Sequence, residues 1–130
     1  MYLVFLRYLS TQFNNAGFIT LMVLFVTDVL LGVTLACMRK SDNTINNRLE
    51  SRQLLKGVYK KIGMVLVYLL GCSISFFTNE NTVVYLTMAG LIAHEGISVL
   101  ENLAMLEIPI PKKLKDMLEV LKGDSKNDKE

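Results

Sequence analysis

The chain has two cysteines, two prolines, one histidine and no tryptophan among 130 residues, and only 20% of its residues are charged. Cys37 and Cys72 both fall inside apolar runs, with no CxxC and no Cys/His cluster of metal spacing, so they read as small packing residues and no metal site is expected. The lone histidine leaves His94-Glu95 without the second ligand of an HExxH zinc site, because Ser98 stands at the fifth position. GxSxG and P-loop motifs are also missing. No enzyme and no cofactor are therefore expected. A net charge of +2 is too small to point to nucleic acid. Met1 to Leu9 lacks a basic n-region and no small-residue cleavage site follows, so the first apolar run is expected to remain in the mature chain.

What the sequence has instead is apolar length, with a mean hydropathy of +0.38. The charges are segregated: Arg39–Lys61 and Lys112–Glu130 hold 13 of the 14 Lys and Arg residues. A soluble bundle would spread them along every helix, whereas a bilayer selects this block pattern. The expected fold is an all-α membrane protein with three transmembrane helices and a short amphipathic C-terminal helix. The spans are placed at 18–38, 62–77 and 83–106, joined by a basic loop at 39–61 and the polar turn Thr78–Thr82. Residues 1–17 form a short N-terminal segment able to lie flat on the membrane, and 107–130 a basic helix and tail. Ile108-Pro109-Ile110-Pro111 ends the third span, since proline lacks the N–H a helix needs.

Orientation follows from the basic residues. The loop carries seven against Asp42 and Glu50, while the Thr78–Thr82 turn carries none. The positive-inside rule then puts the loop and C-terminus in the cytoplasm and the N-terminus outside. Arg39, Lys40, Lys60, Lys61, Lys112, Lys113 and Lys115 are the candidate contacts to anionic lipid. In Lys112–Lys122, Leu114, Met117, Leu118 and Leu121 share one helical face, and Arg48–Lys61 has a similar character. The end, Gly123 to Glu130, lacks apolar residues and is expected to stay unfolded.

Within lipid, helices associate through close packing and hydrogen bonds, so small and polar residues carry the information. Thr20, Asp28, Gly32 and Ala36 form one ridge, Gly63, Gly71 and Ser75 a second, and Gly90, His94, Ser98 and Asn102 a third. Gly32, Ala36, Gly63, Gly71, Ser75 and Gly90 are the candidate helix-packing positions. A carboxylate at mid-span costs about 2.5–3.5 kcal/mol on insertion scales and must face protein or water. Asp28 lies about 15 Å of helix rise from the end of its span, and His94 and Glu95 lie at a similar depth. Asp28 and His94 are thus placed to meet, within one subunit or between two. Asp28, His94, Glu95, Ser98, Glu101 and Asn102 make up a candidate polar face for assembly or for lining a pore.

The stretch HEGISVLENLAMLEIPIPKKLKDMLEVLK, His94–Lys122, strongly resembles the signature of the phage lysis and toxin-secretion holins of Gram-positive bacteria and their phages, with Glu95, Ser98, Glu101, Asn102, Pro109 and Pro111 matching. DVLLGVTLA, Asp28–Ala36, resembles the first-span pattern of that family, and SRQLLKGVYKKIG resembles its loop, with Ser51, Gly57 and Lys61 in register. His94 and Glu107 depart from it, the latter where glycine is common. The resemblance implies a homo-oligomer in the bacterial host cytoplasmic membrane. At a set time it would open lesions through which an endolysin, or in some relatives a large toxin, reaches the wall. It leaves open an antiholin, which shares the fold and co-assembles with a holin to delay it. A small selective channel using Asp28, His94 and Glu95 is a further alternative.

Overall fold

A bilayer offers a backbone no hydrogen bonds, so an apolar run that enters it must coil into a helix and satisfy its own N–H and C=O groups. The computed structural model describes residues 1–42 and 47–123, and the side chains of 39–42, 47–51, 118, 119 and 121–123 lie outside the described set. Among the described residues the regular structure is five helices: α1 Tyr2–Phe13, α2 Ala16–Asp42, α3 Asn47–Thr78, α4 Thr82–Met105 and α5 Lys112–Gly123. Three are long and apolar enough to cross a membrane, over Ala16–Met38, Arg52–Thr78 and Thr82–Met105. Their outward hydroxyls are satisfied locally. Thr20, Thr27 and Thr34 each donate to the carbonyl four residues back at 2.8 Å, so none presents an unpaired group to lipid.

α2 and α4 run parallel and pack most extensively, with α3 antiparallel to both. The core is Leu21 and Phe25 of α2, Met64, Tyr68 and Cys72 of α3, and Val84 and Met88 of α4. Outside it, Val23, Val26 and Leu30 on α2 and Leu66 and Leu70 on α3 are more than half exposed. That surface suits acyl chains. In water it would aggregate.

Two close approaches fix the packing. Gly71 is buried against α4, where a Cβ would stand 2.9 Å from Thr87 Oγ1 and 3.2 Å from its Cβ. Ser75, also expected as a packing residue, does more: its buried hydroxyl accepts from the Val84 N–H at 2.9 Å. That N–H is one of the orphan donors in the first turn of α4, and the local N-cap, Asn81, makes no side-chain cap. Asn15 caps α2 in the usual way, accepting from the Gly17 N–H at 3.0 Å.

Two helices run beyond the expected spans, α2 from Ala16 to Asp42 and α3 from Asn47 to Thr78. α3 begins at Asn47, so most of the stretch expected as loop continues the second span as helix, and Leu54 sits over Gly32 of α2. Of the apolar side of that extension, Leu54 turns toward α2 while Leu55, Val58 and Ile62 stay exposed. The N-terminal segment is helical and packs on the C-terminal end of α3. Phe5 and Tyr8 lie 5.0 and 5.5 Å from the Phe76 ring, and further along Phe13 meets Tyr68 at 6.0 Å. The Tyr68 hydroxyl closes the contact by donating to the Gln12 carbonyl at 3.1 Å. Gly123 is the last described residue, so the tail expected to be unfolded lies otherwise outside the described residues.

Candidate functional site

Each spanning helix carries an ionisable residue toward one point. Asp28 comes from α2, Lys61 from α3 and Glu95 from α4, and Ser98 and Asn102 follow Glu95 on the same side of α4. At about 100° per residue, Glu95, Ser98 and Asn102 fall within about 60° of one another, which is why one helix supplies three groups to one cluster. The Lys61 ammonium bridges both carboxylates, 2.8 Å from Asp28 Oδ2 and 2.6 Å from Glu95 Oε2. Ser98 and Asn102 donate to the other Asp28 oxygen at 2.8 and 2.9 Å. The Phe25 ring lies 5.0 Å from the ammonium and adds a cation–π contact.

The side chains of Lys61, Asp28 and Glu95 are 12%, 15% and 2% exposed. Groups this sheltered are tolerable in a membrane only when paired and hydrogen-bonded. With one ammonium between two carboxylates, the cluster carries a formal charge of −1 when all three are ionised. A crevice of about 280 Å³ adjoins it between α2 and α3, lined by Gly32, Ala36, Gln53, Gly57 and Leu54, with Asp28, Lys61 and Asn102 contributing its polar atoms. The small residues Gly32, Ala36 and Gly57 leave the space that larger side chains would fill.

The candidate polar face is thereby divided. Asp28, Glu95, Ser98 and Asn102 are drawn together, whereas His94 and Glu101 are exposed on the neighbouring strip of α4. A meeting of Asp28 with His94 inside one subunit is corrected: Lys61, Ser98 and Asn102 take the carboxylate, and His94, one residue from Glu95, is turned outward by the helical step. Lys61 is likewise corrected from a lipid contact to the cation of the cluster. A second span that starts at Ile62 leaves Lys61 at the membrane edge. Its depth would have revealed it once α3 was continued toward Asn47.

Among the packing candidates, Gly32 and Gly71 face other helices, Ala36 lines the crevice and Ser75 caps α4. Gly63 and Gly90 are exposed, and a Cβ on either meets nothing within 4 Å, so they pack against no other part of the described chain. Lys60, Lys112, Lys113 and Lys115 are exposed, while the side chains of Arg39 and Lys40 lie outside the described residues.

Comparison with known proteins agrees with this arrangement of spans. Residues 4–123 match the sequence profile of the bacteriophage holin family. A probable holin of Bacillus phage phi105 is 31% identical over 115 residues, covering 87% of this chain and 80% of the relative. An uncharacterised 14.9 kDa protein from the nagH 3′ region of Clostridium perfringens is 36% identical over 79% of this chain and 74% of its own length. YqxH of Bacillus subtilis, also uncharacterised, is 32% identical over 84% and 74%. No solved structure matches the chain. With three spanning helices and a family match over nearly its whole length, the chain is a multi-pass protein of the cytoplasmic membrane and belongs to the bacteriophage holin family.

Proposed function

We propose that the chain oligomerises in the host cytoplasmic membrane and opens lesions that release an endolysin, or a large toxin, to the cell wall and so time lysis. The observation that carries this reading is the three-helix cluster of Asp28, Lys61 and Glu95. It hides one ionisable group from each of the three spans inside one subunit, which lowers the cost of a single copy accumulating in lipid without opening it. When spans part and subunits join, the same groups become a hydrophilic wall, and water replaces the lost internal partners.

The exposed strip of α4 bearing Gly90 and His94, and the bare face of α3 at Gly63, let other subunits approach closely. The basic cytoplasmic segments hold the chain with its N-terminus outside and its C-terminus inside. The endolysin is a functional partner that needs no contact with the lesion. Induction with an endolysin is expected to give sudden lysis after a delay, and induction alone to collapse membrane potential and viability. Cells that keep both on induction of the chain alone would overturn lesion formation and leave the antiholin role.

A further inference from the structure

We infer that α5 docks on the surface of an anionic bilayer, its apolar side sunk to the level of the acyl chains. α4 ends at Met105 and α5 begins at Lys112, so the helix starts within a short tether of a membrane-spanning segment. The tether is defined: the N–H groups of Glu107 and Ile108 donate to the Ala104 and Leu103 carbonyls, closing the end of α4, and Pro109 and Pro111 prevent its continuation. α5 is thus held at the edge of the bilayer and cannot extend the span into solution.

Among the described side chains, its apolar residues are not spent on the bundle. Leu114 and Met117 are 45% and 67% exposed. By helical register Leu118 and Leu121 belong to the same side. Lys112, Lys115 and Asp116 lie well away from that side, and Lys113 lies at its rim, where a long side chain reaches headgroups while its stem stays apolar. The helix holds four lysines against Asp116 and Glu119. That net charge of +2 favours anionic headgroups over a second, equally basic copy of α5. Lys56 and Lys60, exposed near the same end of the bundle, add to the positive field. An apolar side under a basic one, tethered at a membrane edge, fits anionic lipid.

This inference rests on the three spans and not on lesion formation. The test uses the full chain with Cys37→Ser, buried Cys72 retained, and an environment-sensitive dye on Met117→Cys or, separately, Asp116→Cys. Each is placed at one copy per nanodisc, where no lesion can assemble. In discs containing phosphatidylglycerol, the dye at 117 is expected to shift to the blue and escape an aqueous quencher. The dye at 116 should remain quenched. Each lysine changed to glutamine in Lys112, Lys113 and Lys115 is expected to reduce the docked fraction relative to undocked by about fivefold. Equal quenching at both positions would overturn the inference. So would shielding that appears only with two copies per disc, which would assign the face to a second chain.

Discussion

Asp28 has both carboxylate oxygens engaged, one by Lys61 and the other by Ser98 and Asn102, and Glu95 shares the same ammonium. Removing the cation would therefore strand two sheltered carboxylates. Lys61→Met is expected to destabilise the bundle by about 3–5 kcal/mol, the usual effect of breaking a buried pair from one side. Glu95→Gln leaves a neutral Asp28–Lys61 pair and an amide oxygen that still accepts from the ammonium. It should unfold at or above the wild-type midpoint. Denaturant titration of the purified protein in detergent ranks the two, and an equal loss in both would refute the bridging role. At Gly71 the effect is steric. Gly71→Ala is expected to cost about 1–3 kcal/mol, because the new Cβ meets Thr87 at 2.9 and 3.2 Å. Thr87→Ala removes the hydroxyl and one methyl and should recover part of that loss in the double variant.

Among the elements, α4 depends on α3 for its start and on its own C-terminal turn for its stop. Ser75→Ala would leave the buried Val84 N–H unpaired, at a cost of about 1–3 kcal/mol. Amide exchange is expected to accelerate in the first turn of α4 before it does so at Val99. At the other end Glu107 adopts φ 56, a left-handed conformation that favours glycine. The resemblance noted from the sequence, glycine at this position, thus has a backbone cause. Glu107→Gly is expected to raise the melting midpoint by the equivalent of about 1 kcal/mol. An unchanged or lower midpoint would show that the exposed glutamate compensates for the strain.

At the scale of the whole molecule, α2 and α4 run parallel, α3 packs antiparallel against them, and α1 and α5 join the bundle at opposite ends. In a background without exposed cysteine, Glu80→Cys is expected to react with a membrane-impermeant thiol reagent on intact spheroplasts. Lys113→Cys should react only after the membrane is opened. Reversed labelling would invert the topology, and with it the side on which the basic segments lie.

The sequence by itself determined that the chain lives in a membrane and that three helices span it, and it put Asp28, His94, Glu95, Ser98, Glu101 and Asn102 on one polar face, of which His94 and Glu101 stay exposed. The spans and the face each follow from a local property, apolar length or the free energy of a polar group in hydrocarbon, that can be read one segment at a time. Which groups those residues would meet was a different matter. Lys61 read as a membrane-edge lysine, and only the continuation of α3 toward Asn47 carried it to the depth of Asp28 and Glu95. His94 and Glu95, neighbours in sequence, were sent to different surfaces by a single helical step. The cap that Ser75 gives α4 is equally invisible locally, because its donor sits on another helix. Residue type settles whether a group needs a partner, but the rotation and depth of three packed helices settle which partner it finds.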